Sequence, residues 1–305
     1  MIDAKLRDGF WRLADPKISI TSAASMAIGA ALAAREPGFS WPWLLVLGLA
    51  MFCMEVAKNA WGDVYDYDSG TDLAVRPEDR TDFSGGKRVL VDAILTRRQT
   101  WAIAFGFAFA GLALGVLMVF GREPSLFWLG SLGLVLGWSY HGPPLRLAYR
   151  GLGELDVVIC YGPVIALSTY VLMTGHYAVD PFWLALPLGL LIAAFLWVNE
   201  FPDYHADLGA GKNNLVARLG KQRAARLLPA IYLAGFGLLA ALPTLTGMPP
   251  AIWLGFLALP AAGLAMFWTL RDPEYFHRHK PVQPMALLAF VLYSAGVTAG
   301  VLIGA

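Results

Sequence analysis

Residues 44–72 read LLVLGLAMFCMEVAKNAWGDVYDYDSGTD, an apolar run that passes directly into an acidic stretch. The run itself, residues 41–58, approaches the ~20 residues that a helix needs to cross the hydrocarbon core of a bilayer. The acidic stretch that follows holds four aspartates and an asparagine within residues 59–72. Since a charged side chain at mid-bilayer costs roughly 2.5–3.5 kcal/mol or more, such a cluster beside a membrane-like run indicates that it binds a cation.

The composition predicts a polytopic membrane protein. Of 305 residues, 57% are hydrophobic and 15% charged, whereas ordinary soluble domains have about 25% charged residues. Lipid-exposed backbone must satisfy its own hydrogen bonds, so the apolar runs are expected to be helices. Nine such runs predict an all-α fold of nine transmembrane helices around a central cavity, in one domain, 1–305. Eight crossings result if the glycine-rich run 125–140 is re-entrant. The predicted runs are 18–34, 41–58, 99–120, 125–140, 154–173, 181–199, 227–246, 250–270 and 284–304.

Lys and Arg residues are distributed unevenly between these runs. Twenty lie in the N-terminal arm and in alternate connections, only Arg35 and Arg122 lie in the others, and Lys58 ends a run. By the positive-inside rule the N-terminus is cytoplasmic, so the long connections, and any chemistry they carry, are expected to face the cytoplasm. The expected location is the cytoplasmic membrane. A net charge of +1 gives no sign of nucleic-acid binding. Cys53 and Cys160 lie in apolar runs and are interpreted as small buried hydrophobic residues.

Two acidic stripes follow apolar runs on the same predicted side of the membrane. Residues three or four positions apart share one face of a helix, and each stripe holds an asparagine and two aspartates at that spacing. Mg²⁺ prefers oxygen ligands and usually takes one or two carboxylates together with substrate phosphates. Two stripes that share Mg²⁺ could therefore hold a diphosphate between them. The members are Asn59, Asp63, Asp66, Asn199, Asp203 and Asp207.

Cations near the stripes are candidates for binding the phosphates directly. These are Lys87, Arg88, Arg146 and Lys212. A single aspartate could instead cap a helix end, and the GAGK stretch at 209–212 is a weak match to any phosphate loop. His141 borders a Pro-Pro turn and could either form that turn or belong to the site, with the structural role favoured, whereas His277 is expected on a solvated surface.

With these motifs in view, the sequence resembles the UbiA superfamily of intramembrane prenyltransferases, and most closely its 1,4-dihydroxy-2-naphthoate polyprenyltransferases of menaquinone synthesis. The resemblance covers nearly the whole chain. It rests on NAWGDVYDYDSGTD, GGKRVLVDAILTRRQ, SYHGPPLRLAYRGLGELDVVICYGP and NEFPDYHADLGAGKNNLVARLG. In the last segment Phe201-Pro202 stands where many relatives have Ile-Arg. Pro202 is expected to break or restart the helix there, because proline lacks a backbone N–H.

The resemblance implies Mg²⁺-dependent transfer of a polyprenyl group from its diphosphate to a small aromatic acceptor. Asp63, Asp66, Asp203 and Asp207 would hold the metal, and the rings of Tyr140 and Tyr149 could face the allylic cation. The implied acceptor is 1,4-dihydroxy-2-naphthoate. Alternatives are 4-hydroxybenzoate, homogentisate or a glycerol ether as the acceptor, a terpene cyclase without any acceptor, and a cation-coupled transporter. Prenyl length and oligomeric state are left open.

Overall fold

The computed structural model describes residues 4–304, and within this range the protein is helical, with no β-strand. A π-helical turn at Cys160–Val164, kinked at Gly162, joins the helix Gly153–Ile159 to the helix Ile165–Thr174 in one rod, and a 3₁₀ segment, Pro250–Ala258, leads into the helix Leu259–Arg271. In chain order the helices are α1 Ala4–Ala14, α2 Pro16–Ala33, α3 Trp41–Asp68, α4 Thr71–Ala74, α5 Arg97–Gly121, α6 Leu126–His141, α7 Gly153–Ile159, α8 Ile165–Thr174, α9 Asp180–Gly209, α10 Leu215–Leu219, α11 Lys221–Thr246, α12 Leu259–Arg271, α13 Phe276–His279 and α14 Val282–Ile303.

Seven helical rods among residues 4–304 are long and apolar enough to cross a membrane. They are α3, α5, the α7–α8 rod, α9, α11, the 3₁₀ segment with α12, and α14. The two other predicted runs form α2, of 18 residues, and α6, of 16 residues. The all-helical, membrane-spanning class is therefore confirmed, while nine crossings and a cytoplasmic N-terminus stay predictions.

Helix α9 lies at the centre of the bundle. In its most apolar window 72% of residues are buried, against 17% in the corresponding window of α5. It packs against α7, α11 and α14. Its approach to the π-helical turn is close: a Cβ on Gly189 would clash with the carbonyl oxygen of Val158. Glycine at this position lets the backbones of α9 and of the α7–α8 rod come into contact.

Pro202 does not break α9, so the expected interruption is wrong. The helix continues through Pro187 and Pro202 to Gly209. A proline inside a helix removes one backbone hydrogen bond and strains the preceding turn. The α4, α10 and α14 helices pack against α9 and hold the chain in the helical path. As a result the second acidic stripe lies along one uninterrupted helix.

The connection between α4 and α5, residues 75–96, is fixed at several points to the same polar end of the bundle. Asp79 accepts hydrogen bonds from Arg278 at 2.6 Å and from His277 at 3.0 Å. The side chain of His277 is 1% exposed, so the expected solvated setting of this histidine is wrong. Burial lowers the pKa of His277, in spite of the nearby Asp79 carboxylate. The connection is thereby held next to the acidic stripes.

Candidate active site

The two acidic stripes line one cavity, with a volume of about 260 Å³. The first stripe comes from the last turns of α3, which continues as one helix through Asp68. The second comes from the last turns of α9. All six members, Asn59, Asp63, Asp66, Asn199, Asp203 and Asp207, lie on the cavity wall.

Asp66 is the most highly coordinated carboxylate of the first stripe. Its Oδ1 accepts a hydrogen bond of 2.7 Å from the hydroxyl of Tyr149, and its Oδ2 accepts one of 2.9 Å from Lys212. Asp63 lies one turn closer to the membrane centre and is 4% exposed. Its Oδ2 is 3.4 Å from the backbone nitrogen of Leu90, in the connection before α5.

Lys212 joins the two stripes. Its Nζ is 2.9 Å from Asp66 Oδ2 on α3 and 3.9 Å from Asp207 Oδ1 on α9. Burial by itself lowers the pKa of Lys212, but Asp66 and Asp207 outweigh it and hold this pKa well above its usual value. The lysine is therefore a fixed positive charge between two negative surfaces.

The second stripe is held from two sides. Gly85, in the connection before α5, donates its backbone N–H to Asp203 Oδ2 at 3.2 Å. Asn214 donates to Asp207 Oδ2 at 2.7 Å, and its own Oδ1 caps α10 by accepting the Ala217 N–H. The Asn214 side chain thus ties the start of α10 to the stripe.

Asp72 is an additional carboxylate on the cavity wall. It is 3% exposed, and a Cβ on Gly86 would overlap its carboxyl group. Gly86 also has a φ of +75°, a conformation that favours glycine. Burial raises the pKa of Asp72 well above its ordinary range, and the nearby Asp66 and Asp63 carboxylates add to this effect. Burial and the neighbouring carboxylates therefore favour the protonated form of Asp72.

The donor atoms of the cavity fit a hard divalent cation. Seven buried side-chain oxygens on its wall have no hydrogen-bond partner among the described residues: Asp63 Oδ1, Asp72 Oδ2, Asp156 Oδ1, Asn199 Oδ1, Glu200 Oε2, Asp203 Oδ1 and Asp207 Oδ1. Such unpartnered oxygens are costly unless a ligand satisfies them. Carboxylate and amide oxygens are the ligands that Mg²⁺ takes in proteins. Across residues 4–304, however, no three His, Cys, Asp or Glu side chains are already gathered into a metal-binding group.

The four predicted phosphate-binding cations have different surroundings. Lys212 and Lys87 line the cavity, and Lys87 is paired with Asp15. Arg88 is not on the cavity wall; its guanidinium bonds to Asp92 at 2.6 Å. Arg146 is also off the wall, with its guanidinium carbon 4.3 Å from the centre of the Tyr149 ring. The structure thus brings only two of the four to the cavity.

The two predicted tyrosines also differ. Tyr140 lines the cavity, where its ring packs edge-on against His141. Tyr149 does not line it: Arg146 covers the ring, and the hydroxyl bonds to Asp66. Burial raises the pKa of Tyr149, and Asp66 raises it further. Tyr149 therefore remains a protonated donor that fixes Asp66.

An apolar channel of about 330 Å³ adjoins the acidic cavity. Its walls come from α3, α5, α6 and the α7–α8 rod, and include the glycines Gly111, Gly115, Gly130 and Gly133. Four residues line both spaces, namely Lys58, Gly137, Cys160 and Tyr161. An amphipathic molecule could thus place a charged head in the cavity and an apolar tail in the channel.

The UbiA prenyltransferase family model matches residues 22–299. The chain belongs to this family. It is 29% identical over 228 residues to UbiA prenyltransferase domain-containing protein 1 of Dictyostelium discoideum, covering 72% of this chain and 65% of that relative, slightly under two thirds of its length. It is 25% identical over 254 residues to 1,4-dihydroxy-2-naphthoate octaprenyltransferase of Bacillus subtilis, covering 82% and 78%.

A solved structure shares the fold. The Archaeoglobus fulgidus UbiA homolog, solved bound to DMAPP and Mg²⁺, has a TM-score of 0.60 and 15% identity, covering 95% of this chain and 99% of that one. Its membership of the UbiA prenyltransferase family makes the chain a prenyltransferase, and with its seven membrane-length apolar helices it is an integral membrane protein. That result favours the enzyme over the transporter that intramembrane carboxylates could also indicate.

Several cavity residues of this UbiA prenyltransferase were missed by sequence reasoning. His141, for which the sequence favoured a structural role, lines the cavity with Nε2 3.7 Å from Asp66 Oδ2. It fits because the residue opposite is Gly62, where a Cβ would lie 2.8 Å from His141 Cε1. Glu200 also lines the wall. Its position beside Asn199 in the second motif is a signal that could have indicated this. Lys58 carried the same signal, since it precedes Asn59 in the first motif, whereas Asp156 had none and is brought to the wall by packing.

Proposed function

We propose that this protein transfers a polyprenyl group from its diphosphate to an aromatic acceptor in a Mg²⁺-dependent reaction. The proposed acceptor is 1,4-dihydroxy-2-naphthoate, the substrate named for the Bacillus subtilis relative. The observation that carries the proposal is the joining of an acidic cavity, lined by both stripes, to an apolar channel. A polyprenyl diphosphate has the same two halves.

In this proposal Asp63, Asp66, Asp203 and Asp207 hold Mg²⁺, and Asn59 and Asn199 hydrogen-bond around it. The bound metal would act as a Lewis acid on the diphosphate leaving group. The support is that three of the four aspartates, and Asn199, present buried oxygens without partners. The DMAPP and Mg²⁺ bound to the Archaeoglobus fulgidus homolog give the same pairing of ligands in this fold.

The protein's own cations have a separate task. Lys212 and Lys87 lie on the cavity wall, where they can neutralise the diphosphate as it departs. The bond from C1 of the prenyl chain to oxygen breaks, and the diphosphate leaves with the electron pair. The apolar channel excludes water from the allylic cation, which would otherwise be hydrolysed. The ring of Tyr140 is available on the wall to face that cation.

The acceptor ring supplies the electron pair for the new carbon–carbon bond. With a naphthoate, attack at the carbon that bears the carboxylate is followed by loss of carbon dioxide, and the electrons of the broken bond restore the aromatic ring. No proton has to be removed from that carbon. A different acceptor, such as 4-hydroxybenzoate or homogentisate, would react at a carbon that bears hydrogen and would need a proton acceptor.

The proposal includes the arrangement in the membrane: one domain, nine crossings, a cytoplasmic N-terminus and a cytoplasmic active site. Its support is the excess of Lys and Arg in the N-terminal arm and alternate connections. Single cysteines placed in α1 and in the connection 75–96 would test this orientation. Their labelling by a membrane-impermeant reagent would be compared between intact and permeabilised cells.

The activity test uses the purified protein in detergent or nanodiscs with Mg²⁺ and farnesyl diphosphate or a longer donor. The acceptors are 1,4-dihydroxy-2-naphthoate, 4-hydroxybenzoate and homogentisate, together with a reaction without acceptor. We expect prenylated naphthoquinol and carbon dioxide with the first. Diphosphate release with a cyclised hydrocarbon and without an acceptor would instead indicate a terpene cyclase, and contradict the proposal.

A further inference from the structure

Lys58 occupies the junction between the acidic cavity and the apolar channel. Among residues 4–304 it is the one charged side chain that lines both spaces. It precedes Asn59 on α3. At a rise of about 1.5 Å per residue, its Cα lies about 7.5 Å along the helix from that of Asp63, on the membrane side of the stripe. Lys58 is thus set deeper than the proposed metal ligands.

The ammonium group of Lys58 is held in place by two partners. Its Nζ is 3.1 Å from Glu55 Oε2, and it also bonds to the hydroxyl of Tyr161. Glu55 is 3% exposed and also accepts a hydrogen bond from Ser22. An ammonium has three N–H donors. The remaining donor has no acceptor among the described residues, so it is available to a ligand in the cavity.

Asp156, on α7, stands near this lysine with an unused acceptor. It is 5% exposed, it lines the acidic cavity, and its Oδ1 has no partner among the described residues. It interacts electrostatically with Lys58. One turn later on the same face is Cys160, which also lines both spaces. The junction therefore offers one cationic donor and one carboxyl acceptor that the proposed metal site does not use.

A positive charge at this depth matters for the reaction. The allylic carbon of a bound donor would lie between the diphosphate in the cavity and the chain in the channel, which is close to the junction. Glu55 already offsets the charge of Lys58, so an anionic acceptor group bound there would add net negative charge beside the forming carbocation and lower its energy. The same contact would bring the nucleophilic ring to the reacting carbon.

We propose that Lys58 and Asp156 form the acceptor subsite: Lys58 binds the acidic group of an anionic aromatic acceptor, and Asp156 accepts a hydrogen bond from its ring hydroxyl. This rests on the proposed prenyl transfer and assigns the enzyme's preference for an acidic aromatic acceptor to Lys58. Lys87 and Lys212 serve the diphosphate, since both lie on the wall of the acidic cavity and outside the channel. The subsite therefore separates the recognition of the two substrates.

The test compares two acceptors that differ in the acidic group, 1,4-dihydroxy-2-naphthoate and naphthalene-1,4-diol. Loss of a hydrogen bond to a charged group weakens binding by about ten- to a hundredfold. Lys58→Met should therefore raise the KM for the naphthoate by that factor, with little change in the KM for the prenyl diphosphate or for the diol. Lys58→Arg should retain most of the affinity. Asp156→Asn should weaken both acceptors, because both carry the hydroxyl.

A control separates ligand binding from a structural role, since Lys58→Met leaves Glu55 buried without its cation. In the double variant Glu55→Gln/Lys58→Met both charges are absent. If Lys58 only neutralises Glu55, the double variant regains the wild-type KM for the naphthoate, and the subsite proposal is overturned. We expect the KM to stay raised. An equal rise in the KM for the diol or the prenyl diphosphate would also overturn it.

The failure of the subsite and the failure of the proposed function give different results. If the wild-type protein prenylates no acidic aromatic acceptor, the proposed function is wrong. Binding of 1,4-dihydroxy-2-naphthoate, measured by quenching of tryptophan fluorescence, then tests the subsite independently of catalysis. Equal affinity of wild type and Lys58→Met in that measurement would exclude it, and a loss of affinity confined to the naphthoate would support it.

Discussion

Replacing Lys212 by methionine should make the folded protein depend on Mg²⁺ for stability. The lysine contacts Asp66 at 2.9 Å and Asp207 at 3.9 Å, so it offsets the repulsion between α3 and α9. The two side chains of the shorter pair are 16% and 14% exposed, which places it between a surface and a buried ion pair. Breaking a fully buried pair costs ~3–5 kcal/mol and an exposed one below ~1 kcal/mol. A loss of about 2 kcal/mol is therefore expected without Mg²⁺.

The measurement is thermal unfolding of the purified protein, followed by intrinsic tryptophan fluorescence, in EDTA and in millimolar Mg²⁺. Since a divalent cation can replace the missing charge, Mg²⁺ should raise the unfolding temperature of Lys212→Met more than that of the wild type. Lys280→Met is the matched control, because Lys280 lies 4.1 Å above the Trp268 ring and not on the cavity wall. Equal stabilisation by Mg²⁺ in wild type and Lys212→Met would refute the reasoning.

Asp63→Asn should lower kcat/KM for prenyl transfer by about a hundredfold or more, because a metal ligand loses its charge, while Asp68→Asn should have near wild-type activity, since Asp68 only pairs with an exposed arginine. Similar losses in both variants would exclude a specific role for the stripe. Gly133→Phe, in the channel wall, should shift donor preference towards shorter prenyl diphosphates in a competition assay, and Gly106→Phe, outside the channel, should not. Unchanged donor preference in both variants would show that the channel does not hold the prenyl tail. Burial by itself raises the pKa of Asp79. Hydrogen bonds from Arg278 and His277 outweigh burial, so this pKa is lower than its usual value. Its contribution to stability is then present above about pH 4 and is lost as the pH falls through the folded-state pKa. The difference in unfolding temperature between wild type and Asp79→Asn should accordingly shrink on acidification, and a gap independent of pH would show that the charge of Asp79 is not involved.

Asp66 shows how closely the sequence can predict a site residue and where it stops. Its spacing from Asn59 and Asp63 placed all three on one face of a helix, and the helix is present. The partners of Asp66 are Tyr149 and Lys212, which lie 83 and 146 positions away. No local pattern gives such distances, because they depend on how α3, α9 and the connections pack.

The sequence by itself determined the membrane-spanning helical class and the two acidic stripes. Hydrophobic length and three-to-four-residue spacing act within one helix, so they can be read from neighbouring residues. Tertiary structure alone decided that α9 passes unbroken through Pro202, that Arg88 bonds to Asp92 outside the cavity, and that Lys58 and Asp156 line the same cavity. Each depends on contacts between distant segments, whose packing decides which side chains face a shared space and which are drawn away from it.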